Sequence, residues 1–140
     1  MRKTAFHILR VGLGITFVWI GVLIFKEPQA WGGYLEPWAA GLLPVPLEQA
    51  MAGTAILDIA IGFLLLTDWF TWLAALIGTF HLVVVLAVSG ITDITVRDIG
   101  LLAGALALLT DSLPLFILNK IKNLKKSNSE DKTRSASETV

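Results

Sequence analysis

Apolar residues dominate four stretches of the chain, and short polar or proline-containing segments separate them. The stretches cover residues 6–25, 47–67, 69–89 and 95–112. A helix needs ~20 apolar residues to cross ~30 Å of hydrocarbon, and three of the stretches reach about that length. The pattern therefore predicts an all-α bundle of four transmembrane helices, in which the second and third form an antiparallel hairpin.

The first apolar stretch has a competing interpretation as a cleaved signal peptide, because Met-Arg-Lys precedes it. However, the following KEPQAW contains no good small-residue cleavage site, and the apolar run is longer than a usual signal core. We therefore predict that the first helix is retained.

The segment between the first two stretches carries Trp31, Tyr34, Leu35, Trp38 and Leu42 at helical spacing. Amphipathic aromatic residues at that spacing predict one short helix lying in the headgroup layer. Its aromatic side chains could serve only as membrane anchors, or they could roof a ligand cavity. On the second interpretation, Trp31 and Trp38 are candidate ligand contacts.

The start of the fourth stretch combines charge with small residues. Thr95 and Asp98 have the spacing of a capping box, in which each side chain accepts a hydrogen bond from a free backbone N–H. Gly100 and Gly104 form a GxxxG motif, which predicts close packing within the bundle or between copies. Arg97 lies inside the capping-box segment, immediately before Asp98. It could snorkel to the interface or pair with Asp93 or Glu48, and local structure does not otherwise explain it.

Composition supports the membrane class, since 55% of the residues are hydrophobic, only 16% are charged, and the mean hydropathy is +0.74. Basic residues cluster near the start and from residue 119 onward. The positive-inside rule then predicts that both termini lie in the cytoplasm of a bacterium, with the bundle in its inner membrane. We expect residues 1–118 to form the membrane domain and 119–140 a basic, disordered tail.

The absence of cysteine excludes disulfides, thiolate metal sites, iron–sulfur clusters and thiol redox chemistry within this chain. Any redox role must therefore depend on a partner or a bound cofactor. No metal-ligand spacing, phosphate-binding glycine loop or Ser-His-Asp order occurs, and the basic tail is short and adjacent to the membrane. We expect neither a metal site nor nucleic-acid binding, and we assign no catalytic residue.

Two ionisable residues are predicted near the middle of the bilayer, Asp58 in the second helix and His81 in the third. A carboxylate at that depth costs several kcal/mol unless it is paired, protonated or hydrated. An Asp58–His81 pair could carry a proton or bind a polar ligand such as a quinone carbonyl. Equally, the pair could be an interhelical hydrogen bond that only fixes packing.

These features together resemble the DoxX-like family of bacterial membrane proteins. The resemblance is carried by LRVGLGITFVWIGVLIF, the PQAWGGYLEPW loop, LDIAIG and, most specifically, TVRDIGLL. It implies a four-helix membrane bundle and, for some relatives, a link to quinone-coupled sulfur oxidation or to membrane oxidoreductase assemblies. It also implies functional roles for Asp58, Arg97 and Asp98.

Two departures from the family pattern concern this implied site. Relatives often end the first helix with Gly, two residues and Lys-Phe, whereas this chain has Ile24 at that place and Lys26 two residues later. The acid of the second helix is often glutamate and here is Asp58. Lys26 is therefore only a displaced candidate for the same site.

Three functional hypotheses follow. The first is an accessory subunit of a quinone-linked membrane redox system, with a polar pocket inside the bundle. The second is a non-catalytic scaffold or homo-oligomer whose polar pairs only support packing. The third is a small-molecule transporter, which four spans could form only as an oligomer.

Overall fold

The computed structural model describes residues 1–114, 117, 119–120 and 123–124, and within them every regular element is a helix. The helices are α1 (Lys3–Lys26), α2 (Pro28–Gly32), α3 (Pro37–Gly41), α4 (Leu47–Thr67), α5 (Thr71–Ser89) and α6 (Val96–Ser112). The predicted tail of residues 119–140 lies largely outside the described residues.

The four long helices share one apolar core. Helix α1 packs along α4, α5 packs along α6, and contacts between α4 and α5 and between α1 and α6 complete the bundle. The core side chains come from all four helices and are Leu13, Phe17, Ile61, Leu65, Ala74, Ala75, Leu82, Ala105 and Leu108. We call the end that carries α2 and α3 the loop end, and the end with the α4–α5 connection the hairpin end.

Three of these helices, α1, α4 and α5, are long and apolar enough to cross a membrane. Helix α6 has 17 residues, which at ~1.5 Å rise per residue gives a length of about 25 Å. Large apolar side chains such as Ile8, Trp19, Phe63 and Phe80 are exposed on the outside of the bundle, as expected for a surface in contact with lipid.

The closest helix packing joins α1 to α4 through glycines. A Cβ added at Gly62 would lie 2.6 Å from the carbonyl oxygen of Gly14, and one at Gly21 would lie 2.7 Å from that of Ala55. No side chain fits at such distances, so the two backbones approach each other because these positions are glycine.

The predicted close packing at the GxxxG motif is only partly present within the chain. A Cβ at Gly100 would have no neighbour within 4 Å, whereas one at Gly104 would lie 3.3 Å from the side chains of Leu9 and Leu13 in α1. Gly100 faces outward and makes no such contact within the bundle, and packing between copies at this position stays a prediction.

The segment between α1 and α4 contains two short helices rather than the single helix predicted. Gly33 caps the C-terminus of α2. Pro37 begins α3, as expected for proline, which is favoured at the first position of a helix. Between them, the backbone N–H of Glu36 donates to the carbonyl of Val88 over 2.9 Å. This hydrogen bond holds the segment against the end of α5.

The predicted capping box at the start of α6 does not form. The hydroxyl of Thr95 donates to the carbonyl of Gly90 over 2.6 Å and accepts from the backbone N–H of Thr92 over 2.7 Å. It is therefore engaged in the preceding turn, and no side-chain hydrogen bond caps the helix. Asp98 has no capping role and is free to serve another.

At the hairpin end, a buried arginine joins α1 to the end of α4. The guanidinium of Arg10 donates to the carbonyls of Leu65 and Leu66, and its Nε lies 3.4 Å from a carboxylate oxygen of Asp68. The same oxygen accepts from the hydroxyl of Thr71 over 2.8 Å. Asp68 thus binds side chains, and Phe70 occupies the cap position of α5 without a side-chain cap.

Candidate ligand cavity

A cavity of about 450 Å³ occupies the loop-end half of the bundle. It lies between α1, α4, α5 and the start of α6, and residues of the α1–α4 connection cover it. Most of its wall is apolar and includes Phe17, Ile20, Ile24, Met51, Leu82 and Val85. Ligand sites typically have this character, with volumes of ~300–1,000 Å³ and a few polar groups in an apolar wall.

Asp58 and His81 meet in the wall of this cavity. Nε2 of His81 lies 3.1 Å from Oδ1 of Asp58, and the two side chains are only 12% and 4% exposed, respectively. The contact lacks the alignment of a hydrogen bond, so Oδ1 accepts no hydrogen bond from the residues that the structure describes. A buried carboxylate oxygen without a donor is costly, and a ligand that donated to it would offset that cost.

A second group of polar residues lines the cavity where α6 begins. Cζ of Arg97 lies 5.7 Å from the centroid of the Trp31 ring, within the range of a cation–π interaction. Nε of Arg97 lies 3.6 Å from Oδ1 of Asp98. Asp98 is buried, whereas about half of the Arg97 side chain is exposed, so the arginine forms part of the cavity's rim.

The two polar groups line the same cavity. Its largely apolar wall therefore contains two carboxylates, one guanidinium and one imidazole. Such a set offers both donors and acceptors to a polar head group, and a proton can pass between Asp58 and His81, which lie 3.1 Å apart.

Two of the candidates named from the sequence lie elsewhere. Lys26 is the last residue of α1 and is exposed, and it does not line the cavity. Trp38 in α3 is 55% exposed and also lies outside the wall, in a position that suits a membrane-interface anchor. The structure thus brings together Trp31, Asp58, His81, Arg97 and Asp98.

Several further polar side chains line the cavity without having been proposed as site residues, namely Tyr34, Thr54, Ser89 and Thr95. Thr54 lies one helical turn before Asp58, a spacing that marks a shared face and could have identified it. Ser89 carried no such signal, because its position depends on how α5 meets the loop. Among the described residues, no group of three or more His, Asp or Glu could hold a metal ion.

The family model described as DoxX matches residues 5–98. The matched segment contains Asp58, His81, Arg97 and Asp98. No curated protein and no solved structure matches the chain.

Proposed function

The chain belongs to the DoxX family of membrane proteins, and we propose that it binds a quinone in its cavity as a non-catalytic accessory subunit of a membrane redox system. The observation that carries this proposal is the buried Asp58–His81 pair in the wall of an apolar cavity of about 450 Å³. A pair that only fixed helix packing would not need an adjoining space of ligand size.

The polar groups suit both redox forms of such a ligand. A quinone carbonyl accepts hydrogen bonds, which the imidazole of His81 and the guanidinium of Arg97 can donate. A quinol hydroxyl donates, and Oδ1 of Asp58 is a buried acceptor that needs a donor. The aromatic face of Trp31 beside Arg97 offers a surface against which a flat ring can stack.

The accessory role rests on what the side chains can and cannot supply. The residues of the cavity can orient a ligand and move protons, but the chain contains no cysteine for thiol or iron–sulfur electron transfer. In this proposal the electrons come from a partner protein in the same membrane, and this chain holds the quinone.

The proposal places four spans in a bacterial inner membrane with both termini in the cytoplasm. It is supported by the packing of α6 along α5 and by the basic residues near both termini. Because the native chain lacks cysteine, single substitutions report topology directly. We expect Leu42→Cys and Asp93→Cys to react with an impermeant maleimide on intact spheroplasts, and Lys3→Cys and Lys120→Cys to react only after permeabilisation. The reverse pattern, or labelling of Lys120→Cys from outside, would contradict this topology.

Ligand binding is tested by solvent extraction and mass spectrometry of the protein purified in mild detergent. We expect quinone to co-purify with the wild type and to be lost from Asp58→Asn, a nearly isosteric change that removes the carboxylate. Asp111→Asn is the matched control, because this acid lies at the opposite end of the bundle and pairs with the N-terminus. Equal quinone in all three proteins, or in none of them, would exclude the proposed site.

A further inference from the structure

The α4–α5 hairpin is closed at one end and open at the other. Toward the hairpin end, Ile61 is buried, and a Cβ added at Gly78 of α5 would lie 3.3 Å from its side chain. Toward the loop end, Gly53 and Leu57 of α4 and Val84 of α5 line the cavity and are also exposed. The two helices therefore leave a gap that connects the cavity with the outer surface of the bundle.

We propose that this gap is a lateral opening through which the ligand enters directly from the lipid. The proposal rests on the proposed function and adds the class of ligand, an amphiphile with a polar head and a long apolar tail. The head reaches the Asp58–His81 pair, while the tail leaves between α4 and α5 and remains in the bilayer.

The chemistry of the opening favours lipid over water as the source. Its edge is formed by Gly53, Leu57, Val84 and Val88, which carry neither charge nor side-chain hydrogen-bonding groups. The half-exposed charged side chain of Arg97 lies instead at the rim, where α6 begins. An alkyl tail directed past Arg97 into water would lose ~0.8 kcal/mol for each CH₂ group exposed, whereas a tail between α4 and α5 stays in an apolar medium.

The size of the cavity also indicates that the tail of the ligand leaves between α4 and α5. At about 450 Å³ it has the volume of a compact, drug-sized ligand. A ring with its polar substituents fits within such a space, but a long alkyl or isoprenoid chain does not. The tail of a membrane quinone must therefore extend outside the cavity, and the gap provides an apolar path for it.

Gly53 offers a way to close the opening without disturbing the fold. A Cβ at this position would have no neighbour within 4 Å, so a larger side chain can be added without a clash in α4. Gly12 of α1 is the matched control, because its Cβ would also meet nothing within 4 Å and it does not line the cavity. Phenylalanine at Gly53 is expected to obstruct the opening, and phenylalanine at Gly12 only adds apolar surface in lipid.

The test uses the full-length protein in phospholipid vesicles and two probes, a benzoquinone with a long alkyl tail and the same ring without the tail. Stopped-flow quenching of Trp31 fluorescence measures arrival in the cavity, and Trp31→Phe supplies the background from the other tryptophans. We expect Gly53→Phe to slow quenching by the tailed probe about tenfold or more. The tailless ring, which can pass the rim near Arg97, should quench at the wild-type rate. Gly12→Phe should match the wild type with both probes.

Three other outcomes are decisive. If Gly53→Phe and the wild type respond equally to the tailed probe, the ligand does not enter between α4 and α5, although the cavity still binds it. If Gly53→Phe slows both probes equally, the substitution has closed the cavity itself, and the lateral opening is again refuted. If neither probe quenches Trp31 in the wild type, the proposed function fails, independently of any route of access.

Discussion

Replacing Gly62 by alanine tests the close approach of α1 and α4 that forms one side of the bundle. The new Cβ would lie 2.6 Å from the carbonyl oxygen of Gly14 and 2.7 Å from the backbone nitrogen of Val18. Both are backbone atoms that cannot rotate away, and real Cβ contacts essentially never fall below 3.0 Å. The helices must therefore separate by several tenths of an ångström, and overpacking of this kind costs about 1–3 kcal/mol.

Gly12→Ala separates this packing cost from the general effect of replacing glycine in a helix. Alanine favours the helical state over glycine by ~1 kcal/mol at either position, so this gain cancels when the variants are compared. A Cβ at Gly12 meets nothing within 4 Å. We therefore expect Gly62→Ala to be about 1–3 kcal/mol less stable toward unfolding than Gly12→Ala.

The assay is reversible unfolding in mixed micelles with increasing SDS, followed by circular dichroism. Quinone is left out of the micelles, so that ligand binding does not contribute to the measured stability. Equal free energies of unfolding for Gly62→Ala and Gly12→Ala would refute the close packing of α1 and α4.

The remaining stability predictions use the same assay. Arg10→Met should destabilise the protein by about 1–3 kcal/mol, because it removes the charged donor to the buried carbonyl of Leu65, which then keeps only a long hydrogen bond from the backbone N–H of Asp68. Wild-type stability would show that the arginine contact is dispensable. Asp111→Asn should cost at most about 1 kcal/mol, because its ion pair with the N-terminus is partly exposed and screened; a larger loss would contradict that assignment. Thr95→Val keeps the side-chain shape but removes the buried hydroxyl that donates to the carbonyl of Gly90. We expect the free energy of unfolding to fall by about 1–3 kcal/mol. An unchanged stability would contradict the hydrogen-bonded turn between Gly90 and Thr95.

The helix positions were predictable because apolar run length and helix length are directly related in a membrane. Helix α4 has the predicted bounds, 47–67, and α6 begins within one residue of its expected start. Helix α1 extends beyond its prediction at both ends, from Lys3 to Lys26. An apolar-run prediction stops before such residues, although a long lysine side chain allows a membrane helix to continue to the interface.

The meeting of Asp58 and His81 was also accessible from sequence. Two antiparallel helices with a short connection place residues at equal distances from the turn at equal depth, and both residues lie near mid-helix. By contrast, the failure of the capping box at the start of α6 to form could not be predicted from the sequence. Thr95 has the required spacing to Asp98, but its hydroxyl is engaged by the turn at Gly90, and a spacing rule does not describe that competition.

Features that depend on which helices are neighbours could not be predicted. Gly14 and Gly62 belong to no GxxxG motif in their own helices, and they become a packing contact only because α1 and α4 lie side by side. The opening beside Gly53 has the same origin. It depends on how α4 and α5 diverge toward the loop end, and no local pattern specifies that divergence.

The most direct test of the ligand cavity is the ¹⁵N spectrum of the two histidines in the histidine-labelled protein in lipid. His81 lies in the cavity wall against Asp58, whereas His7 is exposed near the start of α1 and is a built-in control. Addition of the long-tailed benzoquinone should shift the ring resonances of His81 with saturation and leave those of His7 unchanged, and Asp58→Asn should weaken the response. If the His81 resonances stay in place, or if both histidines shift in parallel without saturation, the cavity does not bind this ligand.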